Sequence, residues 1–416
     1  MKKYTLLVIA LIIVFGACSP DEPNVMLNPP QTNDQIFPGI TLCEDGFAGP
    51  YACDGYDLLS NVNLFTLGVT YVNDLWGWTD PQTGREYALL GTNAKSVFFD
   101  ITDPINPIYL GDLHTATEVS NWRDIKVYQN HAFIVSEATG HGMQVFDLTR
   151  LRDVANPPET FTADARYVGF GSAHNIVINE DTGYAYAVGA RRFDNGFFSF
   201  DGGPHFVNIQ NPTNPIAAGG YPDEAYSHDA QVITYNGPDT EHVGKEILIG
   251  SNTNEVVIVD VTDKNNPIQL STIDYSNIGY THQGWFTEDQ RYFIVGDELD
   301  EIHFGFNTRN IVFNLSDLDN PSFFMNYTGP TPAIDHNGYI KGDMYFLANY
   351  TAGVRMIDIE NISSGQMQEI GYFDTFPAHD ASTFNGAWNV YPFFESGNII
   401  VSDINSGLFI IRKSTD

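Results

Sequence analysis

Ala173-His174-Asn175-Ile176, Ser227-His228-Asp229-Ala230, Thr281-His282-Gln283-Gly284 and Asp335-His336-Asn337-Gly338 place four histidines at successive intervals of 54 residues. Self-similarity at a period of this length marks a repeat architecture, each repeat being one supersecondary unit. The unit opening at His228 divides into four apolar runs: His228–Thr234, Lys245–Ser251, Glu255–Val261 and Pro267–Ile273. Each is short and bounded by Asn, Asp, Gly or Pro, which predicts strands rather than helices. The turn after the third run recurs, as Asp260-Val261-Thr262-Asp263 before Pro267 and as Asp100-Ile101-Thr102-Asp103 before Pro107. Side chains of this kind bond nearby backbone and Pro sets φ, so these carboxylates read as turn formers.

Working outward, the inner strands align on Trp76, Arg123, His174, His228, His282, His336 and Trp388, at intervals of 47, 51, 54, 54, 54 and 52 residues. Seven units of four antiparallel strands predict an all-β, seven-bladed β-propeller. The last unit offers only Trp388–Tyr391, Asn398–Asp403 and Leu408–Arg412. Its fourth strand is expected from the early segment Leu58–Leu64, which closes the ring and removes its exposed edge. The propeller is thus expected over residues 56–413, behind a disulfide loop at 39–55.

The N-terminus reads as an address. Lys2 and Lys3 precede an apolar stretch from Tyr4 to Ala17 that is short for a bilayer span. It ends Val14-Phe15-Gly16-Ala17-Cys18, which resembles a bacterial lipobox, with residues 1–17 removed and Cys18 lipidated. The other reading is an ordinary signal peptide with an incidental cysteine. Two or more acyl chains on Cys18 would anchor stably where one is marginal. A polar, Pro-rich tether follows over 18–38. Its start, Ser19-Pro20-Asp21-Glu22, resembles the surface-export signal of Bacteroidota lipoproteins. An exported outer-membrane lipoprotein exposed at the cell surface is the expectation. Cys43 and Cys53 are left to form a disulfide, which export permits.

Nineteen basic residues against 52 acidic ones give a formal charge of −33, which argues against nucleic-acid binding. The same charge keeps an exposed protein soluble. Calcium binding by clustered carboxylates is the sharper alternative, although no run matches the twelve-residue calcium loop.

The run Val256-Val257-Ile258-Val259-Asp260 resembles the LVIVD repeat of bacterial surface proteins. Cys43 with Gly49-Pro50-Tyr51-Ala52-Cys53 and Asp57-Leu58-Leu59-Ser60, together with Ser136-Glu137-Ala138 and His141-Gly142-Met143-Gln144-Val145-Phe146-Asp147, resembles the choice-of-anchor B family. The resemblance covers roughly residues 40–412 and implies a surface-anchored propeller without specifying a reaction.

First strands of propeller blades line the central channel, and second strands return to the same mouth. The histidine-bearing mouth is therefore expected to gather His174, His228, His282 and His336 with Trp76, Arg123, Glu137, His141, Arg191, Glu298 and Trp388. Three readings follow. The imidazoles brace neighbouring blades; or they hold a transition metal such as Cu, Fe or Zn, with Glu137 and Glu298 as orienting groups or general bases; or the mouth binds a glycan, peptide or protein, with Trp76 and Trp388 as flat platforms. The metal arrangement is similar in outline to the four-histidine iron site of carotenoid-cleaving propellers and to the selenium-binding-protein propellers. A surface binding module is the principal reading and a metal-dependent enzyme the alternative. Trp78, Trp122 and Trp285 read as core aromatics, and no serine elbow, phosphate loop or dinucleotide fingerprint occurs.

Overall fold

The computed structural model describes residues 39–224 and 226–415. The signal peptide, Cys18 and the tether lie outside the described residues. Among the described residues no helix is long and apolar enough to cross a membrane.

Blade 4 shows how the sequence makes the sheet. Asp229–Thr234, Glu246–Ser251, Val256–Asp260 and Ile268–Ile273 pair antiparallel in that order, each within a residue or two of the expected run. The third strand is an unbroken β-branched run because both of its faces are covered. Val256 and Ile258 pack with Phe293 and Ile311 of blade 5, while Val257 and Val259 pack with Tyr186 and Phe206 of blade 3. Burying each such side chain contributes about 1.5–3 kcal/mol.

Seven sheets of this kind form the all-β propeller. Their inner strands are Val72–Thr79, Arg123–Tyr128, Asn175–Asn179, Asp229–Thr234, Thr281–Phe286, Gly338–Lys341 and Ala387–Tyr391, in blades 1 to 7. In blade 7 the outermost strand is Tyr56–Val62, paired antiparallel with Gly407–Lys413 so that Tyr56 faces Lys413.

Two extensions were not legible in the sequence. The expected disulfide joins Cys43 and Cys53, but around it Phe47–Ala48 and Tyr51–Asp54 form a hairpin the sequence did not signal. That hairpin adds to the outer strand Gln368–Phe373, making blade 6 six-stranded and covering its edge. In blade 2 the outer strand is Ala165–Tyr167, while Glu159–Phe161 crosses to run parallel to Ile108–His114 of blade 1. Gly111 admits that crossing, since a Cβ there would collide with the Glu159 carbonyl oxygen. Runs of two or three residues carry too little alternation to be read as strands in advance.

Candidate functional site

The four histidines occupy equivalent positions at the start of their inner strands, His174, His228 and His336 just ahead of the strand and His282 as its second residue. The backbone N–H of His174, His228 and His336 donates to Val188, Ser251 and Ala348 of the respective second strands. Their rings form a continuous arc, with centroids 4.2 Å apart for His174 and His228, 4.4 Å for His228 and His282, and 4.3 Å for His282 and His336. Trp388 continues the arc, 4.7 Å from His336. Equal spacing along the chain has become adjacency around the axis.

Hydrogen bonding explains part of the recurrence. His228 Nδ1 donates to the His282 carbonyl at 3.2 Å, and His336 Nδ1 donates to the Trp388 carbonyl at 2.5 Å. Each ring thus ties its blade to the next. A carbonyl partner makes Nδ1 the donor, so Nε2 carries the lone pair in the neutral ring. Burial keeps these rings neutral. It drives His228 and His282 well below the usual imidazole range, helped by the neighbouring histidines, and brings His336 down to about 3.

The residues after His174 and His282, with their counterparts in other blades, brace as well. Asn175 Nδ2 donates to the His228 carbonyl, and Gln283 bonds both Gly338 N–H (3.0 Å) and its carbonyl (3.1 Å). Asp124 accepts from Ile176 N–H at 2.7 Å, Asn389 Nδ2 donates to the Leu75 carbonyl at 3.0 Å, and Asn73 Nδ2 donates to the Asn121 carbonyl at 2.8 Å. Every junction of the ring is stitched by at least one such side-chain-to-backbone bond.

Glu298 joins the arc. It accepts from Tyr350 Oη at 2.8 Å, with His282 Nε2 at 3.6 Å and His336 Nε2 at 3.5 Å. His228, His282 and Glu298 each present a ligand atom within 4.8 Å of the others. Glu137 bonds His174 Nδ1 at 2.6 Å; burial pushes its carboxyl up, but that bond and the nearby Arg191 hold it below its ordinary value. The Arg191 guanidinium lies 4.2 Å from the centre of the Phe198 ring. Arg123 and His141 meet, but in the interior. Arg123 Nη1 donates to His141 Nε2 at 3.1 Å while His141 Nδ1 donates to the Gly142 carbonyl at 3.0 Å. Both are buried, which lowers Arg123 to about 10 and His141 to about 3. Trp388 is also buried, packed by Tyr350 and Tyr71. Of the expected mouth, His228, His282, His336 and Glu298 form a buried brace, with half-buried His174 and exposed Glu137 at its rim.

Trp76 corrects the sequence reading. The residue level with Arg123, His228 and Trp388 in blade 1 is Asn73: Asn389 bonds Asp74 and Leu75 across the closing junction. Trp76 lies three residues further down its strand, roughly 10 Å along the channel. Its ring packs on Tyr391 (5.1 Å) and Tyr339 (5.7 Å). It belongs to a deeper layer two residues beyond the bracing positions, made of Trp76, Lys126, Val177, Gln231, Trp285, Tyr339 and Tyr391. Strand alternation puts these on the same face as Asp74, Asp124, Asn175 and Asp229. Trp285, expected in the core, is half-buried here, 4.9 Å from Tyr339. Period-two counting from Asn73-Asp74 would have found the layer.

This layer bounds a cavity of about 480 Å3 at the channel end away from the histidines, lined by Trp76, Lys126, Trp285, Tyr391, Phe393, Gln231, Asn179 and Glu180, among others. Lys126 Nζ sits 4.6 Å from the centre of the Trp76 ring. It also pairs with Asp124 at 2.5 Å and Asp74 at 3.5 Å. Burial, with the Asp124 charge beside it, raises Asp74 well above the carboxylate range; the lysine and several hydrogen bonds hold Asp124 low against burial. Asp229, buried near them, is pushed up to about 7.

No protein-family model matches the chain, and no curated protein matches it. Among solved structures it is similar to a protein from Lactobacillus plantarum, at 12% identity over 80% of this chain and 88% of that one, with a TM-score of 0.50. A functionally unknown protein from Desulfotomaculum acetoxidans is similar at 13% identity over 76% and 89%, also at 0.50. The Swd1 β-propeller domain of Myceliophteria thermophila is 10% identical over 79% and 94%, at 0.49. At such identities the likeness to the first two shows the fold alone, and the seven sheets around the channel make the chain a seven-bladed all-β propeller.

Proposed function

We propose that the chain is an exported, lipid-anchored propeller of the choice-of-anchor B type that binds a surface carbohydrate in the aromatic channel cavity. The observation that carries the reading is the pairing of half-buried Trp76 and Trp285 with Asn179, Glu180 and Gln231 around a cavity of about 480 Å3. Ligand sites commonly occupy about 300–1,000 Å3 and combine apolar faces with a few polar groups. Flat indole faces suit the C–H faces of a sugar, and amide and carboxylate groups suit its hydroxyls. The histidine end then serves mainly as the brace that sets the channel's shape. The seating of Val256–Asp260 inside blade 4 and of the Cys43–Cys53 hairpin on blade 6 is compatible with the family reading.

The test titrates neutral oligosaccharides against intrinsic tryptophan fluorescence. Saturable quenching is expected, weakened about ten-fold by Trp285→Ala, the loss typical of an interfacial aromatic anchor. No saturation with any sugar, or equal affinity in the variant with its fold intact, would count against the cavity.

One observation favours a second reading, a metal-dependent enzyme. His228, His282 and Glu298 converge within 4.8 Å, and His282 Nδ1 has no hydrogen-bond partner. Neutral imidazole with a carboxylate suits Zn, Cu or Fe, and these three residues would hold the ion, which would supply Lewis acidity or redox capacity. Elemental analysis of protein purified without added metal is expected, on this reading, to find close to one Cu, Fe or Zn per chain, lost in His228→Ala and His282→Ala. A metal-free folded protein leaves the histidines as braces.

A further inference from the structure

We infer that Asp300, Glu301 and Asp335 form a second, separate site, a buried oxygen cage for one divalent cation of the calcium class at the junction of blades 5 and 6. It lies outside the carbohydrate cavity and shares no residue with the histidine arc.

Asp300 and Glu301 begin a short helical turn, Asp300–Phe304, after the second strand of blade 5, and Asp335 directly precedes the inner strand of blade 6. The three carboxylates each bring an oxygen within 4.8 Å of the others. None reaches solvent: relative exposure is 0% for Asp300 and Asp335 and 2% for Glu301. Burying carboxylates this closely is costly unless the charge is compensated.

The compensation visible among the described residues is incomplete. Arg309 Nε donates to Asp300 Oδ2 at 2.6 Å, and Asn310 Nδ2 donates to Asp335 Oδ2 at 2.8 Å. Asp300 Oδ1, Asp335 Oδ1 and both oxygens of Glu301 receive no hydrogen bond from an amide, guanidinium or hydroxyl of another residue; Glu301 instead lies within hydrogen-bonding reach of Asp300 and Asp335, contacts that need a shared proton. The adjoining Asp297 is not a source of further ligands, because Gly279 N–H, Tyr280 N–H, Leu299 N–H and Tyr275 Oη already bond its two oxygens.

Asn310 supplies an independent pointer. Its side chain is 0% exposed and held against Asp335 through Nδ2, yet its carbonyl oxygen Oδ1 has no partner. A buried amide oxygen beside carboxylates is a ligand type that calcium uses and softer metals do not prefer. Gly296 makes room for the Asp335 carboxylate, since a Cβ there would collide with Asp335 Oδ2. The charge balance points the same way: Asp300, Glu301 and Asp335, with Asp297 adding its charge nearby, outnumber the single guanidinium of Arg309, an excess that a cation would offset.

The competing account is that the acids share protons. The experiment uses the full-length chain in detergent, stripped with EDTA, and follows melting temperature and bound metal on adding calcium chloride. One tightly held calcium per chain and a rise of about 5 °C at saturating calcium are expected. Both should vanish in Glu301→Gln and Asp335→Asn and persist in His228→Ala, which separates this site from the imidazoles. Wild-type protein with neither a retained ion nor a calcium-dependent shift would overturn the inference, as would an unchanged calcium response in Glu301→Gln, which would assign it to the acidic surface. If neither carboxylate variant folds, the wild-type comparison with and without calcium decides alone.

Discussion

Replacing Lys126 with Met is expected to destabilise the protein by about 3–5 kcal/mol at neutral pH, the cost of leaving a buried charge without its partner. The Lys126 side chain is 12% exposed and holds Asp124 ionised beside the raised Asp74 carboxyl, both more deeply buried than it is. Methionine keeps the aliphatic length and the contact with Trp76 but removes the charge, leaving Asp124 facing Asp74 and Asp229 in the channel. The loss should be largest at pH 7 and shrink towards pH 4, where the carboxylates take up protons. Thermal and guanidinium denaturation at both pH values measure it. A variant as stable as the parent at pH 7 would mean that water, not the lysine, compensates those charges.

Acidification from pH 7 to pH 5 is expected to cost about 2 kcal/mol through His205 and a similar amount through His141. His205 sits between Tyr167 Oη (2.8 Å) and Ser199 Oγ (3.0 Å) among aromatic rings, and burial lowers it to about 4. His141 falls to about 3, first through burial and then through the charge of Arg123. Both folded values lie below the ordinary 6.5, so the unfolded chain binds these protons first. The stability they confer is complete above about 6.5 and is lost as pH falls towards 4. Asp229, raised to about 7, and Asp403, raised to about 6, act in the opposite sense and gain stability over part of the same range. The difference between parent and His205→Gln isolates the histidine. The gap between the two denaturation free energies should change by about 2 kcal/mol between pH 7 and pH 5. Parallel curves would show that His205 protonates without resistance.

Much of the fold was legible because the repeat signal is redundant. The interval between His174 and His228 recurs twice more, and the runs of blade 4 are bounded by the same turn residues that end the observed strands. Trp76 misled because blade 1 carries no histidine, and a large aromatic drew the alignment three residues past Asn73-Asp74. Shifted to Asn73, the first interval becomes 50 residues and falls in line with the rest. The acidic cage could not be read in advance. Asp335 lies 34 residues beyond Glu301, and only the packing of blade 5 against blade 6 brings them together. The aromatic cavity was hidden for a related reason: its residues come one or two per blade, and only strand alternation marks them as a layer.

The pairing of Tyr56–Val62 with Gly407–Lys413 also orders events in time. A ribosome delivers the first of these segments some 350 residues before the second. Throughout that interval the early segment is an apolar edge with nothing to zip onto, the kind of exposed template that invites aggregation. Circular cooperativity therefore arrives only with Gly407–Lys413, and a nascent chain cut short anywhere upstream of it inherits an open wheel with a dangling spoke.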